Sequence, residues 1–414
     1  MKEILREDNN KKIVIVSAPG KRNKKDIKVT DLLIFAHTQQ NKFDYYFNLV
    51  KQRFVEIVNL LKIKVDLESL FLEIKQIYLH LTNSQKYDYI VSRGEYIMAK
   101  IMSEFLHFNF LDSANFIVFN KKSKINLNQS KKLFFKHYKN SPVVIPGFYG
   151  KDCNGNIKLF SRGGSDLTGA IVSNLVDAEQ YENYTDVDGF LSCDPKLVSD
   201  AKIIKRISYR ETRELSYMGA NVLHPDCIYY VKEKKIPIVI KNTFNAKSEG
   251  TTISYNASMP DIYKIAGQKN FLLFYIEKYN FNQNIDFFSK ISGIFKKLKV
   301  NIKLILTSID NLTIVVEKQN YNIILQLITY LKNILKVDFI KIFEDISLIS
   351  VINENPIYSI EQSIFTVLSK NKIQALLINK EVTGVSVVIA VQNQNYTEAI
   401  QLLHSCLNNI SFNC

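Results

Sequence analysis

Apolar residues recur along the chain with two different periods, and the first stretch to show one of them is Ile13-Val-Ile-Val16, a compact β-branched run. Such a run predicts a strand buried on both faces, as in a parallel sheet. Residues Phe43 to Leu61 and Leu67 to Leu79 carry apolar positions three and four apart, which predicts two amphipathic helices. Val29 to Leu33 begins another helix, with Thr30 near its start. The runs 116–119 and 143–145 read as further buried strands. Strands and helices alternate through the first half of the chain, which implies a mainly parallel sheet covered on both faces. Residues 253–267 read as a linker.

Beyond the linker the order changes. Phe271–Ile276 predicts a strand, Phe287–Leu298 a helix, Ile302–Leu306 and Leu312–Val316 two strands, and Tyr321–Leu335 a helix, with Phe339–Phe343 closing the set. A second copy follows: strand Ile346–Ile352, helix Ile357–Leu368, strands Ile373–Ile378 and Val385–Val391, helix Tyr396–Leu407. This repeat predicts two ferredoxin-like α+β modules.

Against this frame, one polar stretch stands out. Pro142-Val-Val-Ile-Pro-Gly147 reads as a strand and turn, and Ser161-Arg-Gly-Gly-Ser-Asp166 follows as a glycine-rich loop entering a helix. Backbone N–H groups at a helix start point at whatever lies before it, and the helix dipole favours an anion there. Gly163 and Gly164 remove side chains that would block approach, and Arg162 adds a fork suited to a carboxylate or phosphate. The alternative is a capped helix with a tight turn, Asp166 serving as the cap. Ser17-Ala-Pro-Gly20, followed by Lys21, Arg22, Lys24 and Lys25, suits either a phosphate edge or an exposed basic loop. Ser92-Arg-Gly-Glu95 places Glu95 in a first helical turn, as a dipole cap or as a partner for a substrate ammonium. Tyr184 to Lys196 is turn-rich and offers hydroxyl, carboxylate and lysine groups close together. The glycine loop, the Ser17 loop and the 185–196 loop should all open at the carboxyl edge of the sheet, where ligands of such folds sit.

Composition narrows the choice. The net charge is +14, but the lysines are scattered, which argues against a nucleic-acid patch. The five cysteines form no CxxC pair and the histidines no metal-spaced cluster, so a reduced, cytoplasmic protein without its own metal site is expected. No apolar run is long enough to cross a membrane.

The motifs Val16-Ser-Ala-Pro-Gly-Lys-Arg22, Lys28-Val-Thr-Asp-Leu-Leu33, Ser92-Arg-Gly-Glu95 and Ser161-Arg-Gly-Gly-Ser-Asp166 are followed by Thr185-Asp-Val-Asp-Gly189, Asp194-Pro-Lys196, Glu214-Leu-Ser-Tyr-Met-Gly-Ala220 and Val222-Leu-His-Pro225. In this order and spacing the segment from Ile13 to Thr252 resembles the catalytic domain of aspartate kinases, in the amino-acid kinase superfamily. The repeated modules resemble their tandem ACT domains. The resemblance implies an α/β/α sandwich with a mainly parallel sheet over residues 1–257, and regulatory modules over 268–343 and 344–411. It implies transfer of the γ-phosphate of ATP, with Mg2+, to the side-chain carboxylate of L-aspartate. Arg162, Ser165 and Thr30 would then hold the α-carboxylate, Glu95 the α-ammonium, and Asp166 a catalytic lysine. Gly163, Gly164, Thr185, Asp186, Leu191 and Lys196 would meet the nucleotide, and His224 would be structural. An amino-acid effector such as lysine would sit between the 279–287 loop and the Ser308–Asp310 turn, with the modules pairing in a homodimer or larger homo-oligomer. Family members open on a strand ending in Lys-Phe-Gly-Gly, which is not found here. That expectation keeps a second reading open, an amino-acid sensor derived from a kinase and impaired in catalysis.

Overall fold

The computed structural model describes residues 4–5, 12–160, 163–220, 222–257, 259, 262–281, 286–354, 360–380 and 385–408. The chain divides into two compact units, the first comprising Met1–Asp188 and Val222–Tyr255, the second Gly189–Asn221 and Asn256–Cys414.

In the first unit, β1 (Ile13–Val16) is followed by helices α1 (Val29–Thr38), α2 (Phe43–Leu61), α3 (Leu67–His80), α4 (Asn83–Val91) and α5 (Arg93–Leu106). Then come β2 (Asn109–Phe110), α6 (Leu127–His137), β3 (Val143–Pro146), the hairpin β4 (Tyr149–Lys151) and β5 (Ile157–Leu159), α7 (Gly164–Leu175) and β6 (Tyr181–Thr185). The chain passes through β7 (Arg206–Ser208) and α8 (Tyr209–Tyr217) in the second unit. It returns to the first with α9 (Cys227–Lys232), β8 (Ile238–Asn242) and β9 (Thr251–Ser254).

The apolar spacing acts as expected in α2, where Phe47, Val50, Phe54 and Val58 are buried against Leu67, Leu70, Phe71 and Ile74 of α3. The end of α2 is set by Lys62 in the left-handed conformation (φ 53°), and the start of α3 by the Asp66 carboxylate accepting from Ser69 N–H. β1 lies parallel to β3, Ile13 opposite Val143 through Val16 opposite Pro146, and β2 lies on the far side of β3. β6 lies parallel to β8, Tyr181 opposite Ile238 through Thr185 opposite Asn242, and β9 runs antiparallel to β8. β1 and β6 each end their own sheet among the described residues. Both line one cavity of about 970 Å³, lined also by α7 and by side chains such as Ile4, Leu5, Met98, Met102 and Tyr138.

The run 116–119 is not a strand. Phe116 closes a short 3-10 turn, and only isolated bridges, Val118 to Lys151 and Phe119 to Ile125, tie the rest. All four side chains are buried. Burial selected the apolar residues there without any ladder to hold them extended.

The second unit carries one antiparallel sheet, in the order β11-β12-β10-β13-β15-β14. Its strands are β10 (Lys264–Glu277), β11 (Ile302–Thr307), β12 (Asn311–Glu317), β13 (Phe339–Ile352), β14 (Leu377–Lys380) and β15 (Ser386–Gln392). Between them run α10 (Asp286–Lys297), α11 (Tyr321–Leu335), α12 (Ile360–Lys370) and α13 (Tyr396–Asn408). Two βαββα modules are present, but they are fused. The expected linker ends at Lys264, where β10 begins, and the strands expected at 339–343 and 346–352 are one strand, β13. β10 and β13 pair from Lys264–Ile352 to Glu277–Phe339, with irregularities between Gln268 and Phe271 and between Phe271 and Leu273. No helix among the described residues is long and apolar enough to cross a membrane.

Candidate active site

Helix α7 begins at Gly163, which holds a left-handed φ of 58°. A Cβ there would lie 2.4 Å from the His224 ring, and one on Gly164 would lie 2.6 Å from Phe148 Cα. The two glycines therefore make room for the protein's own atoms at the turn. Thr168 Oγ1 donates to Gly164 O at 2.8 Å and accepts from Phe148 N–H at 3.1 Å, which fixes the turn against the chain leaving β3. Arg162, expected to grip a carboxylate, lies outside the described residues.

Asp166 sits in the first turn of α7, half-buried. Its Oδ1 accepts from Asn183 Nδ2 at 3.0 Å and its Oδ2 from His224 N–H at 3.4 Å. Burial raises its pKa above the ordinary carboxylate value, and these two donors oppose the rise. No lysine or arginine among the described residues pairs with it. Asn183 is the central residue of β6, and its Nδ2 also donates to Tyr181 Oη at 2.9 Å. Ser165, Asp166, Asn183 and Ser17 all line the cavity between β1 and β6, so the glycine loop and the Ser17 loop do open into one place.

Glu95 occupies the first turn of α5 and is 5% exposed. Its Oε2 has no hydrogen-bond partner. Burial pushes its pKa up to about 8, although the backbone N–H groups of Glu95 and Ala18 and the charge of Arg93 act in the other direction. The Arg93 guanidinium is itself buried, stacked by Tyr89 and Tyr96 at 4.5 Å and Tyr149 at 5.2 Å. It donates to Ser92 Oγ at 2.8 Å and Tyr89 O at 3.2 Å. Thr30, in the first turn of α1, is half-buried.

Thr185 ends β6, and its Oγ1 donates to the exposed Asp186 at 3.3 Å. Leu191 and the exposed Lys196 belong to the second compact unit, whereas Thr185 and Asp186 belong to the first. Lys21 is exposed and does not line the cavity. The His224 ring packs on the glycine turn, and its Nδ1 accepts from Asp226 N–H at 3.3 Å.

In the second unit, Ser308 N–H donates to Asn311 O at 2.9 Å, and Asp310 Oδ1 accepts from Asn280 N–H at 2.8 Å. A small cavity of about 140 Å³ lies beside them, lined by Lys278–Phe281, Phe287, Lys290, Ile334 and Leu335, and neither Ser308 nor Asp310 lines it. Part of the expected effector loop, 282–285, is outside the described residues. Among the described residues no three His, Cys, Asp or Glu side chains converge as a metal site.

Two contributors had a weak sequence signal. Asn183 stands out only through the alternation of Tyr181, Asn183 and Thr185 on one side of a strand, and the Ala18 amide has no side-chain signature at all.

The amino acid kinase family is matched over residues 1–242, and the chain belongs to that family. It is 29% identical to aspartokinase 3 of Bacillus subtilis over 97% of this chain and 93% of that protein. The solved aspartate kinase of Clostridium acetobutylicum superposes with a TM-score of 0.88 at 36% identity, covering 98% of this chain and 95% of the other. Aspartokinase III of Escherichia coli, solved with aspartate and ADP and with lysine and aspartate, shares the fold at 20% identity and a TM-score of 0.75. Within the family, the activity of the chain is that of an aspartate kinase.

Proposed function

We propose that the first unit binds L-aspartate between Glu95 and the start of α7, and ATP toward the carboxyl end of β6. An oxygen of the aspartate side-chain carboxylate forms a bond to the γ-phosphorus, and the bond from that phosphorus to the β–γ bridging oxygen breaks. The products are 4-phospho-L-aspartate and ADP, and no proton has to move, because a carboxylate is already the nucleophile. The work left to the protein is alignment and charge placement.

The observation that carries this reading is Glu95. It is an acid buried at a helix start with one oxygen unpartnered. An isolated buried carboxylate is unfavourable unless a cation or donor meets it, and a substrate ammonium would do so. Arg162, Ser165 and Thr30 are assigned to the α-carboxylate. Asp166, held by Asn183, is assigned to orienting a catalytic cation. Gly163, Gly164, Thr185 and Asp186 are assigned to the nucleotide, whose Mg2+ arrives with it as part of the substrate and screens the phosphates. The domain bounds 1–257, 268–343 and 344–411 follow the same assignment. The regulatory half is assigned an amino-acid effector, lysine, near Ser308 and Asp310, and pairing between copies of the chain in the cytoplasm.

The test is calorimetry with L-aspartate and with succinate, which has both carboxylates and no ammonium. Aspartate should bind and succinate should not, and Glu95→Gln should remove the difference. Equal binding of both acids by the unaltered chain would overturn the assignment.

A further inference from the structure

The loop from Ser17 to Lys28 joins the carboxyl end of β1 to α1 and is exposed over Gly20–Lys25. A connection of this length without regular structure needs fixed contacts to hold one shape. Arg53, on α2 and 6% exposed, provides them. Its Nη2 donates to Gly20 O at 2.6 Å, and its Nη1 donates to Asp26 Oδ2. The same carboxylate accepts from Arg22 N–H at 2.8 Å and Nε at 3.1 Å, and Arg22 Nη1 reaches Glu56, one turn beyond Arg53, at 2.6 Å. One guanidinium thus spans the two ends of the loop tip, gripping backbone at one and side chain at the other. An ammonium could not make both bonds in that geometry.

The loop does more than cover surface. Its first residues pack Ala18 against Gly94, the neighbour of Glu95, where a Cβ on the glycine would lie 2.9 Å from Ala18 Cβ, and Pro19 O accepts from Val29 N–H at 3.3 Å, one residue before Thr30. A shift of the Gly20 end would move the wall beside Glu95 and the start of α1 together. A plain structural ion pair would predict lost stability only.

We propose that Arg53 is a positioning residue for amino-acid binding, latching the loop through Gly20 and Asp26 so that Ala18 stays packed on Gly94 beside Glu95 and Thr30 is held in the first turn of α1. This rests on the assignment of Glu95 to the substrate ammonium.

The test uses the full chain with Arg53→Lys, with Asp26→Asn as a second variant that leaves Arg53 in place. L-aspartate and ATP affinities are measured by calorimetry, alone and in a Glu95→Gln background. Each latch variant should weaken aspartate about tenfold, the scale of one lost charge-assisted bond. ATP affinity should stay within about twofold, and once Glu95 is Gln the latch variants should cost clearly less than in the unaltered chain, only the part that acts through Thr30 remaining. Parallel loss of both ligands, or additive loss with Glu95→Gln, would overturn the proposal. If aspartate binding proves insensitive to Glu95 itself, the functional assignment fails, and amide exchange decides the latch. Faster exchange at residues 18–28 in Arg53→Lys supports it, and unchanged exchange overturns it.

Discussion

Asn183 Nδ2 donates to Asp166 Oδ1 at 3.0 Å, from the middle of β6 to the first turn of α7. The bond fixes the direction of a half-withdrawn carboxylate at the wall of the cavity. Asn183→Leu removes the donor at nearly constant volume and leaves Asp166 with the His224 amide. We expect a loss of stability of about 1–3 kcal/mol, as for a buried acceptor left short of a partner. We also expect a fall in kcat with little change in the aspartate KM. Denaturant unfolding and steady-state kinetics read the two effects separately, and an unchanged kcat would remove Asp166 from the reaction.

Glu95 makes stability depend on pH in an unusual direction. In the unfolded chain its proton leaves near the ordinary value of 4.5, and in the folded chain it is held to about 8. Between these values the folded state binds more protons than the unfolded one, so stability falls as pH rises, by at most about 1.4 kcal/mol per unit from this one group. Below 4.5 and above 8 its contribution is flat. Glu95→Gln should flatten this part of the profile and be more stable than the unaltered chain at pH 8. Aspartate binding should run the other way and strengthen as pH rises toward 8, because the ammonium needs the ionised acid. Unfolding midpoints of both proteins from pH 5 to 9 check the first claim, and titration calorimetry checks the second.

Much of this arrangement was legible in the chain, and the parts that were not share a physical cause. The strand Ile13–Val16 and the helix Phe43–Leu61 fall where their spacing places them, because each is decided by one buried face. The spacing marks only Phe271–Ile276 of β10, with 264–267 reading as linker, and it divides β13 into two pieces. Irregular pairing near Phe271 and a left-handed Asp345 (φ 53°) interrupt the alternation that marks a strand. The glycine turn was recognised, but what occupies the space beside it was not. His224 and Phe148 lie 61 and 15 residues from Gly163 in the sequence, and such pairings leave no local signal.

That turn gives a further test. Gly163→Ala puts a methyl 2.4 Å from the His224 ring on a residue with φ of 58°. Strain and overlap together should destabilise by about 2–4 kcal/mol. Adding His224→Gly removes the ring and also its Cβ, which would lie 2.5 Å from the methyl, and so relieves the overlap and not the strain; measured against His224→Gly alone, about half of the loss should return. Thermal unfolding of the single and double variants measures this. No recovery would show that the backbone conformation alone selects glycine.

The cavity between β1 and β6 is bounded by two strands that end their sheets, and Asp166 faces it without a described cation. A fusion that places a short apolar strand ending in Lys-Phe-Gly-Gly-Ser ahead of Met1 should occupy it. The lysine would meet Asp166. The expected gain in kcat is roughly a hundredfold, the scale of one aligned donor at the transferring phosphoryl group. Coupled ADP release compares the two proteins, and amide exchange at 13–16 and 181–185 reports whether the strand docks. Docking without any gain in rate would remove the lysine from its assigned role.

Hydroxylamine traps the acyl phosphate, and the decisive assay uses ATP with, in turn, L-aspartate, L-glutamate and succinate, in the fused and unfused chains and in Glu95→Gln. If Glu95 receives the substrate ammonium, hydroxamate forms from L-aspartate, with little or none from the other two acids, and it drops at least tenfold in Glu95→Gln at constant ATP affinity. Hydroxamate formed equally from succinate, or unchanged turnover in Glu95→Gln, would contradict it.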